Sequence, residues 1–445
     1  QPATVASPPQ LSLAEAFAAQ ARRHELLQAA DAQVRQREQE RAAAHTLYYP
    51  RVDVHLRATR IDAPITIDLS PIRDAMLALH PQVPAALVPP FRTTVQDETF
   101  WKADVRAAWP LFTGGRVPAA NAAAEARVDE ALAERRLTQG TLAVELVRRY
   151  FGLRLARAAT AVRAQVVEGM SRHVFDASRL EQEGLIARVE RLAAEVALAE
   201  AQRLHRRARD EEALAGLALG ATLSLDTPPD PTTPLFVARD LEPVAVFLER
   251  ARAAHPALAR LDTQARLAAQ AERAEAGRRW PEVYAFGLRE LHEGDLTLLE
   301  PAWAVGLGAS WTLFDGGERT RRTAAAREQA ARVAAMQARV RRDLATLVEA
   351  KYREVQRARD QFDTLHATLG LAEEHLRVRT RAFEEGLATS LEVVDARLAL
   401  ARVQLERLVA AYDYDVALAE LLEASGQADR YDDFRARPGT QDVDR

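Results

Sequence analysis

The sequence predicts a mainly α-helical protein with a membrane β-barrel portion. It is built from two copies of one plan: helix, strand, strand, long helix, helix. Three observations predict it. WPLFTGG at 109–115 recurs as WTLFDGG at 311–317, an offset of 202 residues. EGLIARVE at 183–190 recurs as EGLATSLE at 385–392 with the same offset. Each WxLFxGG signature follows a stretch that alternates like a strand and precedes a long stretch with helical composition.

The elements follow in order. The first repeat, 1–241, carries a helix over 12–47, strands at about 51–60 and 100–109, and helices over 116–182 and 186–220. The second, 242–425, carries a helix over 242–279, strands at about 282–290 and 302–311, and helices over 318–384 and 388–424. Upstream of the signatures the offset is 231, from Pro50 in YYPRVDV to Pro281 in RWPEVYA, and Phe17 pairs with Phe247 at 230. The first repeat therefore holds about 29 extra residues between its proline and its glycine pair, in the proline-rich loop 61–99 opposite the short loop 291–301. That longer loop contains an amphipathic stretch, IRDAMLAL, and is expected to fold over the outer mouth of the barrel. DTPPDPTTP at 226–234 links the halves, because clustered prolines forbid a continuous helix. Pro118 sits in the first helical turn, where proline is tolerated. The Glu-Gly pairs at 183–184 and 385–386 break the helices, glycine being the usual residue past a helix end. The tail 426–445 is polar and expected to be loosely ordered. At ~1.5 Å per residue the long helices span roughly 100 Å and need neighbours to be stable. Leu391, Val394, Leu398, Ala401, Leu405, Leu408 and Tyr412 give one such seam at coiled-coil spacing.

Composition narrows the function. The chain has 445 residues, 28% charged and 48% hydrophobic, with a net charge of −4 and no cysteine. No bulk basic field calls for nucleic acid, and thiol chemistry and disulfides are excluded. No apolar run reaches the ~18–20 residues of a membrane helix. No signal peptide is visible, although a mature secreted chain would also lack one. HExxH, GxSxG and P-loop motifs are absent, the ten histidines are scattered, and no cofactor or metal site is expected.

The strands carry the membrane reading. Trp101, Ala103, Val105, Ala107 and Trp109 alternate with Lys102, Asp104 and Arg106. Trp303, Val305, Leu307, Ala309 and Trp311 repeat that apolar face, and Val52, Val54, Leu56 and Ala58 oppose Asp53, His55, Arg57 and Thr59. In the fourth strand Tyr284, Phe286 and Leu288 suggest an apolar face against the register of the repeat. A tryptophan girdle of Trp101, Trp109, Trp303 and Trp311 ends the apolar faces, eight residues apart. At ~3.3 Å per residue that is about 26 Å, the height of a lipid-facing band. Four strands cannot close a barrel, and open edges are forbidden in lipid, so several chains must share one barrel. Pro50, Phe112, Gly114, Gly115, Pro281, Phe314, Gly316 and Gly317 then mark the barrel–helix junctions. All helices leave one side of the membrane.

With the duplicated plan, the PLFTGG and TLFDGG exits, and the EGL tips, especially EEGLATSLEVVDARLALARVQLE, the chain resembles the TolC-like outer-membrane efflux proteins over nearly its whole length. That resemblance implies a homotrimer with a twelve-stranded barrel in the outer membrane and a twelve-helix periplasmic tunnel. It also implies a periplasmic adaptor protein and an inner-membrane transporter as partners, with no enzyme activity. The tips Gly184, Leu185, Gly386 and Leu387 resemble the family's adaptor-contacting turns. Glu392 and Asp395, three apart on one helix face, match the family's periplasmic constriction, although the first acid is glutamate where aspartate is expected. A threefold ring of these acids would favour cations and raise one another's pKa. The equivalent first-half positions, Glu190 and Ala193, keep one acid. The alternative is a soluble, elongated coiled-coil scaffold with the strands as a small cap sheet.

Overall fold

The computed structural model describes residues 9–89, 91–292 and 301–444. Pro90 in the longer loop, most of the 291–301 loop, the starting residues from Gln1 and the terminal Arg445 lie outside the described residues. From the N-terminus the chain runs β1 (Gln10–Leu11), α1 (Leu13–Arg23), α2 (Glu25–His45), β2 (Arg51–Arg60), β3 (Ile65–Asp68), α3 (Ser70–Leu79), β4 (Arg92–Gln96) and β5 (Thr99–Phe112). There follow α4 (Arg116–Gln182), α5 (Arg188–Thr222), β6 (Asp230–Pro231), β7 (Phe236–Val237), α6 (Val244–Ala254) and α7 (Pro256–Gly277). The chain ends with β8 (Glu282–Glu290), β9 (Trp303–Ser310), α8 (Glu318–Glu384), α9 (Ser390–Ala424), α10 (Tyr431–Arg435) and β10 (Gln441–Asp442).

Two compact units emerge. One takes in the chain up to Arg37, Arg127–Ala265 and everything from Arg332; the other takes in Glu38–Ala126 and Arg266–Ala331. Each therefore draws on both sequence halves.

The smaller unit holds a four-stranded antiparallel sheet in the order β2-β5-β8-β9. Its register pairs Val54 with Val105, Trp109 with Ala285 and Ala285 with Leu307. Directly paired residues share a face, so one face carries Val52, Val54, Leu56, Ala103, Val105, Trp109, Val305 and Leu307. Leu56 and Leu307 on it are 73% and 74% exposed. The other face carries Asp53, His55, Arg57, Asp104 and Arg106. There Arg106 Nε donates to Asp104 at 2.6 Å, and His55 Nδ1 lies 3.6 Å from the same carboxylate. Tyr284 and Phe286 pair with Gly308 and Gly306 and so fall on this polar face. The apolar face expected for Tyr284, Phe286 and Leu288 is corrected: strand pairing keeps the register of the repeat. The glycines opposite leave the room that the rings fill, since a Cβ on Gly306 would lie 2.9 Å from the Phe286 ring.

Two further expectations change. The helices expected over 12–47 and 242–279 each break in two. His24 Nδ1 accepts the Leu26 amide, and His255 Nδ1 accepts the Ala257 amide at 3.1 Å just before Pro256. Proline keeps its predecessor out of the helical region, and the histidines cap the helices that restart. In the 61–99 segment the amphipathic stretch IRDAMLAL does form a helix, α3, and β3 and β4, which flank it in sequence, pair with each other. The tail is ordered rather than loose. Tyr431 and Phe434 are buried, and β10 pairs with β7.

The larger unit is built around that buried tail. Tyr150, Phe151, Phe236, Phe247, Phe362, Tyr414, Tyr431 and Phe434 form its aromatic centre. Phe236 and Tyr431 meet edge to face at 5.8 Å. Asp415, fully buried, accepts the Tyr431 hydroxyl at 3.0 Å and the Phe236 amide at 3.3 Å. Of the predicted seam on α9, Val394, Ala401 and Leu408 are buried, while Leu391 and Leu398 stay exposed.

Candidate functional site: hairpin tips and strand–helix junctions

The two tips share one geometry. Past α4, Gly184 adopts φ +76° and past α8, Gly386 adopts +73°, angles that side-chain-bearing residues resist. The Leu185 amide donates to the Leu180 carbonyl and the Leu387 amide to the Ala382 carbonyl, both at 2.8 Å. These bonds satisfy carbonyls that the helix ends leave open. Leu185 and Leu387 project outward, 66% and 77% exposed.

The helices that restart after the tips differ. Thr389 caps α9: its hydroxyl accepts the Glu392 amide, and Glu392 accepts the Thr389 amide at 2.8 Å. At the equivalent first-half position, Ala187 has no side chain to cap with. Glu190 is thereby released from a local box and instead accepts the Ser390 amide of α9 at 2.8 Å.

Glu392 is thus a capping residue as well as the first predicted constriction acid. Arg379 Nη1 donates to its other oxygen at 2.9 Å. The Thr389 amide, with Thr389's hydroxyl and Arg379, holds its carboxyl below the usual range. Asp395 lies one turn on, exposed.

Sequence reasoning missed the groups behind this turn. His173 Nε2 lies 2.7 Å from Ser390 Oγ, and its ring packs 4.7 Å from Phe383. Both His173 and Ser390 are buried. Arg397 lies over Gly169, where a Cβ would collide with its guanidinium. The available signal was Gly169 itself, a glycine inside a long helix, which costs stability unless something must approach closely.

At the junctions the tryptophans are anchored alike. Trp109 Nε1 donates to the Tyr48 carbonyl at 2.9 Å, and Trp311 Nε1 to the Arg279 carbonyl at 3.0 Å. Trp101 stacks on His292 at 3.8 Å, and Trp303 is 66% exposed. Pro50 and Pro281 stand just before β2 and β8. Gly114, Gly115, Gly316 and Gly317 all have positive φ. Gly114 also packs so closely on Gly277 that a Cβ would collide with its carbonyl, whereas Gly316 faces open space. Thr113 accepts the Val117 amide and Asp315 the Arg319 amide, both at 3.2 Å, capping α4 and α8. Phe112 ends β5, and Phe314 is 88% exposed in the single chain.

A cavity of about 550 Å³ in the larger unit is lined by Gln20, Arg136, His255, Glu423 and Asp432 among others, with no serine or threonine to act as a nucleophile. Among the described residues no helix is long and apolar enough to cross a membrane.

No curated protein matches the chain in sequence. Among solved structures it is similar to CusC, at 14% identity over 93% of this chain and 91% of that one, with a TM-score of 0.75. It is also similar to the outer membrane protein VceC of Vibrio cholerae, at 16% identity over 93% and 96%, TM-score 0.73. The MtrE outer membrane channel of Neisseria gonorrhoeae, in its open state, matches at 17% over 94% and 89%, TM-score 0.74. The outer membrane efflux protein family matches residues 18–223 and 247–427. A match spanning both halves and both tips shows that the chain belongs to the outer membrane efflux protein family.

Proposed function

We propose that three copies of this chain form a passive exit duct: a twelve-stranded barrel continuous with a twelve-helix tunnel. A periplasmic adaptor opens it, and an inner-membrane transporter energises export. The observation that carries the reading is the four-stranded sheet. Its apolar face is exposed, its other face is charged, and β2 and β9 are its open edges. Unpaired amides are not tolerated in lipid. Strand direction alternates across the sheet, so β9 of one copy can meet β2 of the next antiparallel. Repetition around a threefold axis closes the ring.

The internal repeat supplies the register of that joint. Within the chain Ala107 pairs with Gly287. Shifting by the repeat offsets sets Ala309 against Leu56 of the neighbouring copy. It likewise brings the open face of Gly316 and the exposed Phe314 against the neighbour's first strand–helix entry. The native chain has no cysteine, so Ala309→Cys with Leu56→Cys gives an unambiguous test. We expect oxidation to link protomers into a covalent trimer in outer membranes. Ala309→Cys with Arg57→Cys, one residue off register and on the opposite face, should not link. Cross-linking of the off-register pair alone would reject the joint.

The exposed leucines at the tips offer apolar knobs to the adaptor's helices. Glu392 and Asp395 are the proposed constriction acids, and Asp395 is the freer charge because Glu392 is held by Thr389 and Arg379. Asp395→Asn is expected to lower cation preference more than Glu392→Gln does, read as reversal potential in planar bilayers. Equal, unchanged selectivity in both variants would remove the acids from the gate.

A further inference from the structure

The start of α9 is held from two other helices at one residue. Ser390 is its first residue and is fully buried. Its hydroxyl meets His173 of α4 at 2.7 Å, and its amide donates to Glu190 of α5 at 2.8 Å. The third neighbour, α8, supplies the Phe383 ring against the imidazole. The gate acids Glu392 and Asp395 follow within two turns, so the position of this residue sets theirs.

We propose that His173 is a proton-responsive tie: while neutral it fastens the second tip to α4, and protonation releases it and favours the open duct. The setting disfavours a cation. Burial removes the water that an imidazolium would need. Ser390 places the ring at the N-terminus of a long helix, where the peptide dipoles already present positive charge. Arg397, seven residues beyond Ser390 on α9, adds a second cation; Asp176 on α4 and Glu190 on α5 partly oppose it. Together these hold His173 below its ordinary value, burial contributing most and Arg397 next. Neighbouring Arg172 is occupied by Glu168.

The sign follows. A histidine whose pKa is lowered in the closed arrangement stabilises that arrangement while it stays neutral. The stabilisation is lost as pH falls through the ordinary imidazole value and then the lowered one. In an open tip the ring meets water and titrates normally. The same position in the second repeat is His375, which is exposed and so cannot act this way.

The inference rests on the exit-duct reading, and one experiment separates the two. Single trimers in planar bilayers are recorded at about pH 7.5 and about pH 5, with no partner protein present. Wild type is expected to open several-fold more often at the lower pH, about tenfold for each pH unit separating the closed and open values. His173→Gln keeps a polar contact for Ser390 but cannot charge, and should lose that response while conducting normally. Ser390→Ala, which removes the anchoring hydroxyl, should raise opening at neutral pH. An identical pH response in wild type and His173→Gln overturns the tie while leaving the duct intact. Absence of any conductance in wild type takes down both.

Discussion

At the scale of single residues, the chain sets side chains that complete a local motif against those that reach across the fold. Thr389 and Ala187 occupy equivalent places, and that one difference decides where two glutamates go. Thr389→Ala should cost about 1 kcal/mol, the usual value of a lost cap, measured as a lower midpoint of thermal unfolding. Ala187→Thr should recapture Glu190 into a local capping box and free the Ser390 amide. Hydrogen exchange at Ser390 would then speed up, and unchanged protection would contradict this account. Asp415 is a second case. Full burial pushes its carboxyl well above the ordinary aspartate value, against the hydrogen bonds from Phe236 and Tyr431. An acid raised in the folded state contributes stability below its unfolded value, about 3.9. That contribution is lost as pH rises toward the folded value. Asp415→Asn should therefore flatten the pH dependence of unfolding above about pH 4. Asp415→Ala leaves the Tyr431 hydroxyl and the Phe236 amide unpaired, at about 1–3 kcal/mol each.

At the scale of elements, the sequence is legible wherever a rule is local. Period-two alternation located the strands, and the Glu-Gly-Leu and Gly-Gly pairs located the helix ends. The repeat fixed the face of β8 better than its own hydrophobicity did, because Tyr284 and Phe286 are apolar yet share a face with Asp104 and Arg106. Aromatic rings over Gly306 and Gly308 fill space that a composition reading cannot see. The breaks at His24 and His255 recur at the 231-residue offset, so a capping histidine was readable there in principle. The tail was not. Its polar sequence hides Tyr431 and Phe434, whose burial depends on the rings of Phe236 and Phe247 far back in the chain. Phe434→Ala should cost about 3–5 kcal/mol, as for other buried aromatics. A change below about 0.5 kcal/mol, typical of surface sites, would return the segment to a loose tail.

At the scale of the whole molecule, the proposed trimer accounts for an apolar face that a single copy leaves bare. A single copy leaves Val54, Leu56, Val305, Leu307 and Phe314 exposed, and contiguous exposed apolar side chains of this kind mark an interaction or membrane surface. Lipid covers the sheet face and neighbouring copies cover the edges in the assembly proposed above. The four girdle tryptophans report on this directly, since the chain has only five. In vesicles whose acyl chains carry bromine, most of the tryptophan fluorescence should be quenched. Emission as bright as in unbrominated lipid would place the strands in water and end the barrel reading.

By itself the sequence located the strands, most helix ends and the turn residues at both tips, and supplied the strand-edge argument on which the several-chain proposal rests. These rest on backbone angles, side-chain period and unsatisfied amides, which act within a few residues or on any strand edge. Only the tertiary structure decided which helix Glu190 serves, that His173 lies behind Ser390, and that the last residues close the core of the larger unit. Those outcomes join groups from 16 to 217 residues apart, and nothing in the local chain specifies such a partner.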